Sequence, residues 1–235
     1  VDNTITSPYL FRAVGVKASL IINSLTKYIG GHGNALGGSV TDTGLFDWLS
    51  FPNIAPIIRE QIRPEMQGMT QIRKRGLRDG GGTLGPEAAH SISVGSETIA
   101  LRLDRACSNA ATLATFLDNH PLISKVYYPG LKSHPQHELA SSLFHRYGGL
   151  LSFALVDGID CFKFLNELKL VIKSSNLGDT RTLAIPVAHT IFFELGKERR
   201  DEMGIPDSMV RLSVGIEDTE DLIQDFSTAF EAVSN

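Results

Sequence analysis

The sequence has few cysteines, little net charge and no long apolar run. Its two cysteines, Cys107 and Cys161, lie far apart without metal-ligand spacing, so they indicate reduced core thiols rather than a disulfide framework or a zinc site. The net charge of −4 gives no electrostatic reason to bind nucleic acid or an anionic membrane. No apolar run reaches bilayer-spanning length. We therefore expect a cytoplasmic globular protein without nucleic-acid or membrane partners.

The composition is that of an ordinary globular protein. Hydrophobic residues make up 42% and charged residues 20% of the 235 residues, which is enough for one large or two smaller domains. His134, His137 and His145 lack the carboxylate or cysteine that would complete a metal site, so no metal is predicted. The basic residues at 73–75 indicate a solvated face, and the glycines at 80–82 lack the Lys-Ser/Thr of a phosphate-binding P-loop.

The segment of residues 18–34 carries the strongest functional signal. Residues 20–22 are a continuous apolar run typical of a strand buried on both faces, and the polar Ser24, Thr26 and Lys27 follow it. Ligands bind at the carboxyl ends of strands in a parallel α/β sheet, so these side chains are expected at a site. The glycines at 30, 31 and 33 allow a tight turn or a close approach of the backbone to a ligand.

Lys27 has the setting of a Schiff-base lysine. Desolvation at the edge of an apolar sheet lowers the pKa of an amine, which frees it to attack an aldehyde. Ser24 and Thr26 beside it are suited to bind a phosphate, so one segment offers the parts of a pyridoxal phosphate site. The alternative is an exposed lysine that follows a strand with two turn-forming hydroxyls.

Asp2 is a candidate partner for the pyridine nitrogen of that cofactor, which must be held protonated by a carboxylate. A helix-compatible run at residues 9–14, with Gly15 as a possible stop, separates Asp2 from the strand at residues 20–22. This half of a βαβ unit would put Asp2 at the carboxyl end of a neighbouring parallel strand. Without Lys27, Asp2 would be interpreted as an N-cap or turn aspartate.

Apolar periodicity predicts the remaining elements. A strand is expected at residues 37–42, loops and short helices broken by prolines at 47–78, and a long amphipathic helix at 97–119. Strands are expected at 149–155, 170–172, 182–185 and 209–214, and helices at 159–168 and after the cap Asp218. Helices on one face of a small antiparallel sheet would make an α+β domain.

Arg211 lies inside an otherwise apolar strand. A buried guanidinium without a partner is costly, so a carboxylate is expected to face it. Two sources remain open: the carboxylate of an amino acid substrate, bound bidentately, and an acidic residue of the protein.

These residues resemble the signature of a known family. The runs at residues 1–4, 7–8 and 24–28, with the glycines at 31, 37 and 38, resemble the cystathionine gamma-synthase family of pyridoxal phosphate enzymes in cysteine and methionine metabolism. The resemblance implies that Lys27 is the Schiff-base lysine, Asp2 the pyridinium partner, and Ser24 and Thr26 phosphate contacts. Asn34 departs from the acidic residue of many members, but lies outside these roles.

Two further motifs extend the resemblance into the second half of the chain. Residues 174–179 resemble a substrate motif in which Asn176 assists in binding the substrate carboxylate. Residues 211–218 resemble another, in which Arg211 anchors that carboxylate. The pattern at 176–183 resembles homoserine-ester sulfhydrylases more than lyases, although the histidine after Pro186 is displaced to His189.

The resemblance implies an aspartate-aminotransferase-like α/β fold with a mostly parallel sheet. Residues 1–105 would form the C-terminal part of the cofactor-binding large domain, and residues 106–235 the C-terminal α+β domain. The implied reaction is gamma-replacement or gamma-elimination on an acyl-homoserine, as in methionine biosynthesis and transsulfuration, with methionine gamma-lyase or cystathionine lyase activity as the alternative.

Measured against the family, the chain is expected to begin in the middle of the large domain. The aromatic residue that stacks on the cofactor, the glycine-rich phosphate loop and the N-terminal arm would then be missing. The implied assembly is either a homo-oligomer that forms a dimer of dimers, or a complex with a partner chain that supplies the missing part. A noncatalytic fragment or assembly subunit is the alternative of a different class.

Overall fold

The computed structural model describes residues 1–234 and has a mixed α/β fold with two sheets. The strands are β1 Leu20–Ser24, β2 Gly38–Asp42, β3 Ile123–Tyr127, β4 Leu150–Leu155, β5 Ile172–Lys173, β6 Leu183–Pro186 and β7 Met209–Ser213. The helices are α1 Ser7–Leu10, α2 Pro56–Gln61, α3 Pro64–Gln71, α4 Arg78–Gly80, α5 Pro86–Ser96, α6 Ile99–Asp118, α7 His137–Leu143, α8 Cys161–Glu167, α9 Gly196–Glu202 and α10 Thr219–Val233. Short 3₁₀ turns lie at Ala13–Val16, Trp48–Ser50, Val187–His189 and Phe193–Leu195.

The larger sheet has the strand order β3-β4-β7-β6-β5. The pairs β3–β4, β4–β7 and β6–β7 are antiparallel, as the sequence predicted for this domain. The pair β5–β6 is parallel, because the loop between these two strands returns the chain to the same end of the sheet. The strand β3 was not predicted.

The main core lies between this sheet and the helices α6, α8 and α10. Four of its largest side chains are phenylalanines that pack ring against ring: Phe153, Phe164, Phe226 and Phe230. Each is essentially inaccessible to water, so each contributes about 1.5–3 kcal/mol of burial free energy. The cap Asp218 starts α10 as predicted, since its carboxylate accepts a hydrogen bond from the Glu220 amide.

The smaller sheet pairs β1 antiparallel to β2, and Asp2 forms a parallel bridge with Ile22. The strand β1 confirms the prediction of a strand at residues 20–22, but the prediction that both of its faces are buried is wrong. Ile21 and Asn23 are buried whereas Ile22 is 47% exposed, so within residues 1–234 only one face of β1 is covered.

The long helix α6 confirms the prediction for residues 97–119. Its first half packs against the N-terminal region, where Leu103 and Cys107 contact Leu10 and Tyr28. Its second half, from Ala110 onward, belongs to the main core. The helix therefore joins the two regions, while the domain boundary at residues 105/106 stays a prediction.

Three of the prolines in residues 47–96 start helices rather than only breaking them. Pro56, Pro64 and Pro86 each occupy the first turn of a helix, where the missing amide hydrogen has no intrahelical partner to lose. The helices α3 and α4 are joined by a wide helical turn, Ile72–Leu77, into one helical stretch. The prediction of only short elements here is therefore wrong.

Candidate functional site

The strand β1 ends at Ser24, and a wide turn, Leu25–Ile29, carries Lys27 immediately beyond it. The amide of Gly30 donates to the carbonyl of Leu25 at 2.9 Å, and that of Gly31 donates to the carbonyl of Lys27 at 2.7 Å. The backbone of Lys27 itself leaves the helical region, with φ −88° and ψ −129°. This change of direction allows the lysine side chain to reach a loop from the second half of the chain.

That loop brings Asn176 to Lys27. Nζ of Lys27 donates a hydrogen bond to Oδ1 of Asn176 at 2.5 Å. Burial lowers the pKa of the Lys27 amine, and the positive charge of Arg211 lowers it further. The structure thus brings together the two motifs that were predicted separately, and it gives Lys27 the depressed pKa expected of a lysine nucleophile.

Gly178 is a site residue that the sequence analysis did not single out. It has φ +74°, and a Cβ at this position would lie 2.6 Å from the amide nitrogen of Tyr28 and 3.0 Å from the carbonyl carbon of Lys27. Only a glycine therefore allows the Asn176 loop to pack on the backbone of the lysine turn. The signal was present in the sequence as a glycine two residues after Asn176.

Arg211 lies on β7 and points toward the same loop. Its Nη2 donates to the carbonyls of Ser175 at 2.8 Å and Asn176 at 3.1 Å, and its Nε is buried without a hydrogen-bond partner. No acidic side chain of residues 1–234 forms an ion pair with it, and burial lowers its pKa. Of the two partners expected for Arg211, an acidic residue of the protein is therefore not found among the described residues. A half-buried guanidinium with a free Nε fits the carboxylate of a ligand.

Asp2 lies beside β1, the strand that leads to Lys27. Its carboxylate accepts a hydrogen bond from the Thr4 amide at 2.9 Å, and hydrogen bonding by Thr4 lowers its pKa, so this exposed side chain is ionised at neutral pH. Oγ1 of Thr4 accepts from the amide of Ser24 at 2.8 Å, which ties the Asp2 segment to the end of β1. The parallel bridge to Ile22 agrees with the expected neighbouring strand, whereas the role of Asp2 stays a prediction.

The two predicted phosphate contacts occupy different settings. Oγ1 of Thr26 accepts a hydrogen bond from the amide of Gly37 at 3.0 Å, so it fastens the lysine turn to the segment that enters β2. Ser24 is half-buried at the end of β1. Their contact with a phosphate stays a prediction.

The polar groups at this site fit pyridoxal phosphate and an amino acid. They are an amine of lowered pKa, a guanidinium whose Nε has no protein partner in the described chain, and an ionised carboxylate beside β1. Residues 1–234 contain no group of three or more His, Cys, Asp or Glu side chains arranged to hold a metal ion. Within the same residues, no helix has both the length and the apolar character needed to cross a bilayer.

Comparisons with known proteins agree with this chemistry. Residues 1–231 match the family described as Cys/Met metabolism PLP-dependent enzyme. The chain is 39% identical to L-methionine gamma-lyase of Fusobacterium nucleatum subsp. polymorphum, over 99% of the chain and 54% of that protein. It is 38% identical to homocysteine synthase of Schizosaccharomyces pombe, over 98% of the chain and 57% of that protein.

Solved structures give the same result. Cystathionine gamma-lyase from Lactobacillus plantarum, complexed with L-serine, superposes with a TM-score of 0.83 at 27% identity, over 99% of this chain and 55% of that one. Cystathionine gamma synthase from Xanthomonas oryzae pv. oryzae, in complex with cystathionine, superposes with a TM-score of 0.82 at 30% identity, over 100% of this chain and 55% of that one. The chain thus spans about half the length of the proteins it matches.

Proposed function

The chain belongs to the Cys/Met metabolism PLP-dependent enzyme family, and from this we propose that it carries the lysine and the carboxylate-binding residues of a pyridoxal phosphate site for sulfur amino acids. The observation that supports this proposal most is the hydrogen bond between Lys27 and Asn176, two residues 149 positions apart. It joins the proposed reactive amine to the loop whose carbonyls hold Arg211.

In this proposal Arg211 and Asn176 bind the carboxylate of the amino acid. The guanidinium of Arg211, whose buried Nε has no partner in the described chain, and the amide nitrogen of Asn176 are the donors, and the partly desolvated setting of Arg211 makes a charged hydrogen bond strong. The substrate carboxylate would thereby be fixed next to Nζ of Lys27. Fixing the carboxylate orients the alpha carbon toward the amine that must take its proton.

Lys27 is proposed to hold the cofactor and to move protons. When bound, pyridoxal phosphate supplies an electron sink for the charge that develops at the alpha carbon. The lowered pKa of Lys27 leaves a larger fraction of neutral amine, which is the form able to remove a proton from the alpha carbon and later from the beta carbon. Asp2, ionised at neutral pH, is proposed to keep the ring nitrogen protonated, and Ser24 and Thr26 to contact the phosphate.

The substrate class is proposed to be an acyl-homoserine or a related amino acid with a leaving group on its gamma carbon. Relatives named homocysteine synthase and, in Thermus thermophilus, O-acetyl-L-homoserine sulfhydrylase 1 support gamma-replacement. The relative named L-methionine gamma-lyase supports elimination as the alternative. We also propose, from the membership in this family, that the working unit is an oligomer or a complex with a partner chain.

Product analysis tests the proposal. The full chain, with pyridoxal phosphate added, is incubated with an acyl-homoserine, cystathionine or methionine, each with and without sulfide. Homocysteine that forms from acyl-homoserine only with sulfide indicates replacement, and 2-oxobutanoate with ammonia indicates elimination. Lys27→Ala should abolish turnover, and Lys132→Ala, at an exposed lysine, should not.

Turnover that survives in Lys27→Ala would contradict the assigned role of this lysine. If the unaltered chain neither takes up pyridoxal phosphate nor turns over any of these substrates, the noncatalytic fragment or assembly subunit becomes the better account.

A further inference from the structure

Arg102 is a buried arginine of α6 that contacts the backbone immediately after Lys27. Its Nη1 donates to the carbonyl of Tyr28 at 2.8 Å, and its Nη2 donates to the carbonyl of Ile29 at 3.1 Å. These two carbonyls belong to the wide turn that carries Lys27. One planar guanidinium therefore fixes two successive peptide groups of the turn, which the single point charge of a lysine does not do.

The remaining donors of Arg102 connect this turn to two helices. Nη2 also donates to the carbonyl of Gly95 in α5 at 2.7 Å, and Nε donates to Oγ1 of Thr98 at 3.0 Å. A Cβ on Gly31, which has φ +73°, would lie 2.0 Å from Nη1 of Arg102. The glycine at the end of the turn thus leaves the space that the guanidinium fills.

No acidic side chain in the described chain neutralises Arg102. It is 7% exposed, burial lowers its pKa, and its side-chain partners are three carbonyls and one hydroxyl. A buried cation without a counter-ion is costly, so an apolar residue would be the more stable choice if this position served packing alone. Carbonyls at the end of a helical turn carry partial negative charge, which explains why a cation is tolerated there.

We propose that Arg102 is a positioning residue for Lys27: it fixes the carbonyls of Tyr28 and Ile29 and thereby holds the lysine amine in its half-buried place against Asn176. The backbone bonds of Gly30 and Gly31 close the wide turn, and Arg102 is the side chain that holds its last two carbonyls from α6. The inference deepens the proposed function, since it concerns the same lysine.

The test measures the pH profile of the Lys27 amine without the cofactor. The full chain is methylated with formaldehyde and cyanoborohydride at a series of pH values, and peptide mass spectrometry gives the extent of labelling at Lys27. The charged group that faces this amine is Arg211 on β7, and Asn176 is neutral. In Arg102→Met the amine should enter water, because its turn is released.

The midpoint of labelling should then move to higher pH by about half a unit or more, which is about threefold less neutral amine at a fixed pH below it. Arg102→Lys keeps the positive charge but lacks the planar guanidinium, so its midpoint should lie between those of the unaltered chain and Arg102→Met. Arg105→Met is the matched control on the same helix, since its exposed guanidinium contacts Glu217 and Asp218 instead; its profile should equal that of the unaltered chain.

Thr98→Val keeps the test valid should Arg102→Met not fold, because it removes only the hydroxyl that accepts from Nε. It should shift the midpoint in the same direction by a smaller amount. An unchanged midpoint in folded Arg102→Met, or in Thr98→Val when Arg102→Met is unfolded, would overturn the inference. Fixation of pyridoxal phosphate to Lys27 is scored separately, so a shifted midpoint without cofactor uptake counts against the proposed function alone.

Discussion

The proposed chemistry of this chain rests on two cations, Lys27 and Arg211, whose side chains contact the same loop. Their residue types could be read from the sequence, because a lysine after an apolar strand and an arginine inside one both need a specific partner. Their common contact, Asn176, could not be predicted from local pattern, since it lies 149 positions from Lys27. The sequence left open an acidic residue as the partner of Arg211, but in the described residues its hydrogen-bond partners are two backbone carbonyls.

Gly178→Ala should separate the two halves of the site. Gly178 has φ +74° and no room for a Cβ, whereas Gly204 has a similar φ of +69° with open space around it. Gly204→Ala should lower the free energy of unfolding by about 1 kcal/mol, because it adds only backbone strain. Gly178→Ala should lower it by about 3 kcal/mol, because the loop must also shift to make room for the Cβ. Urea unfolding of both variants measures the difference. Equal losses would show that the close approach to Tyr28 is not needed.

Alkaline pH should destabilise the fold through its buried thiols. Burial raises the pKa of Cys107 from 9.0 to about 11, and that of Cys161 to the same value. The folded chain holds these protons more tightly than the unfolded chain, so the stabilisation is complete below pH 9 and is lost as the pH rises toward 11. Urea unfolding between pH 7 and pH 10.5 should show this decline, with a shallower slope in Cys107→Ala. An equal decline of unfolding free energy with pH in the unaltered chain and in Cys107→Ala would show that Cys107 does not contribute to it.

At the scale of elements, apolar periodicity predicted α6, α10, β4 and β7 because each buries a regular stripe or an apolar run. It did not predict β3, whose polar Ser124 and Lys125 are exposed at the edge of the sheet. It also treated prolines 56 and 64 only as breakers, although each begins a helix.

Asn109 is a buried residue by which α6 holds the turn after β7. Its amide nitrogen donates to the carbonyls of Gly215 at 3.1 Å and Glu217 at 2.9 Å, and its oxygen accepts from Thr219 at 2.6 Å. Asn109→Ala leaves buried groups unpaired and should lower the unfolding free energy by about 2–4 kcal/mol. The exposed neighbour Ser108 offers a control, since Ser108→Ala should change it by less than about 0.5 kcal/mol. Equal unfolding free energies for the two variants would show that Asn109 does not stabilise this turn.

At the scale of the whole molecule, buried apolar contact is unevenly distributed. The main core around β4, β7 and α10 is one continuous cluster, whereas the region before α6 holds small separate clusters, such as that of Trp48, Ile54 and Ile58. The sequence indicated two regions joined by α6, but it could not show that the first would have one uncovered sheet face, as at Ile22. That difference depends on which segments pack together, not on local pattern.

Hydrogen exchange should therefore divide the chain at α6. Amides of β1 and β2 should exchange faster than those of β4 and β7, because local opening exposes less apolar surface where the clusters are small. Exchange measured by peptide mass spectrometry, followed over hours, gives the comparison. Uniform protection along the chain would contradict a two-region organisation and would leave the proposed boundary at residues 105/106 without support.

The central claim is that Lys27 is the amine that takes the cofactor. The direct measurement is to add pyridoxal phosphate to the full chain, reduce with borohydride, digest and map the modified lysine by mass spectrometry. The account predicts a phosphopyridoxyl group on Lys27 at one equivalent per chain, absent from Lys27→Arg. Modification at other lysines with Lys27 left free would contradict it.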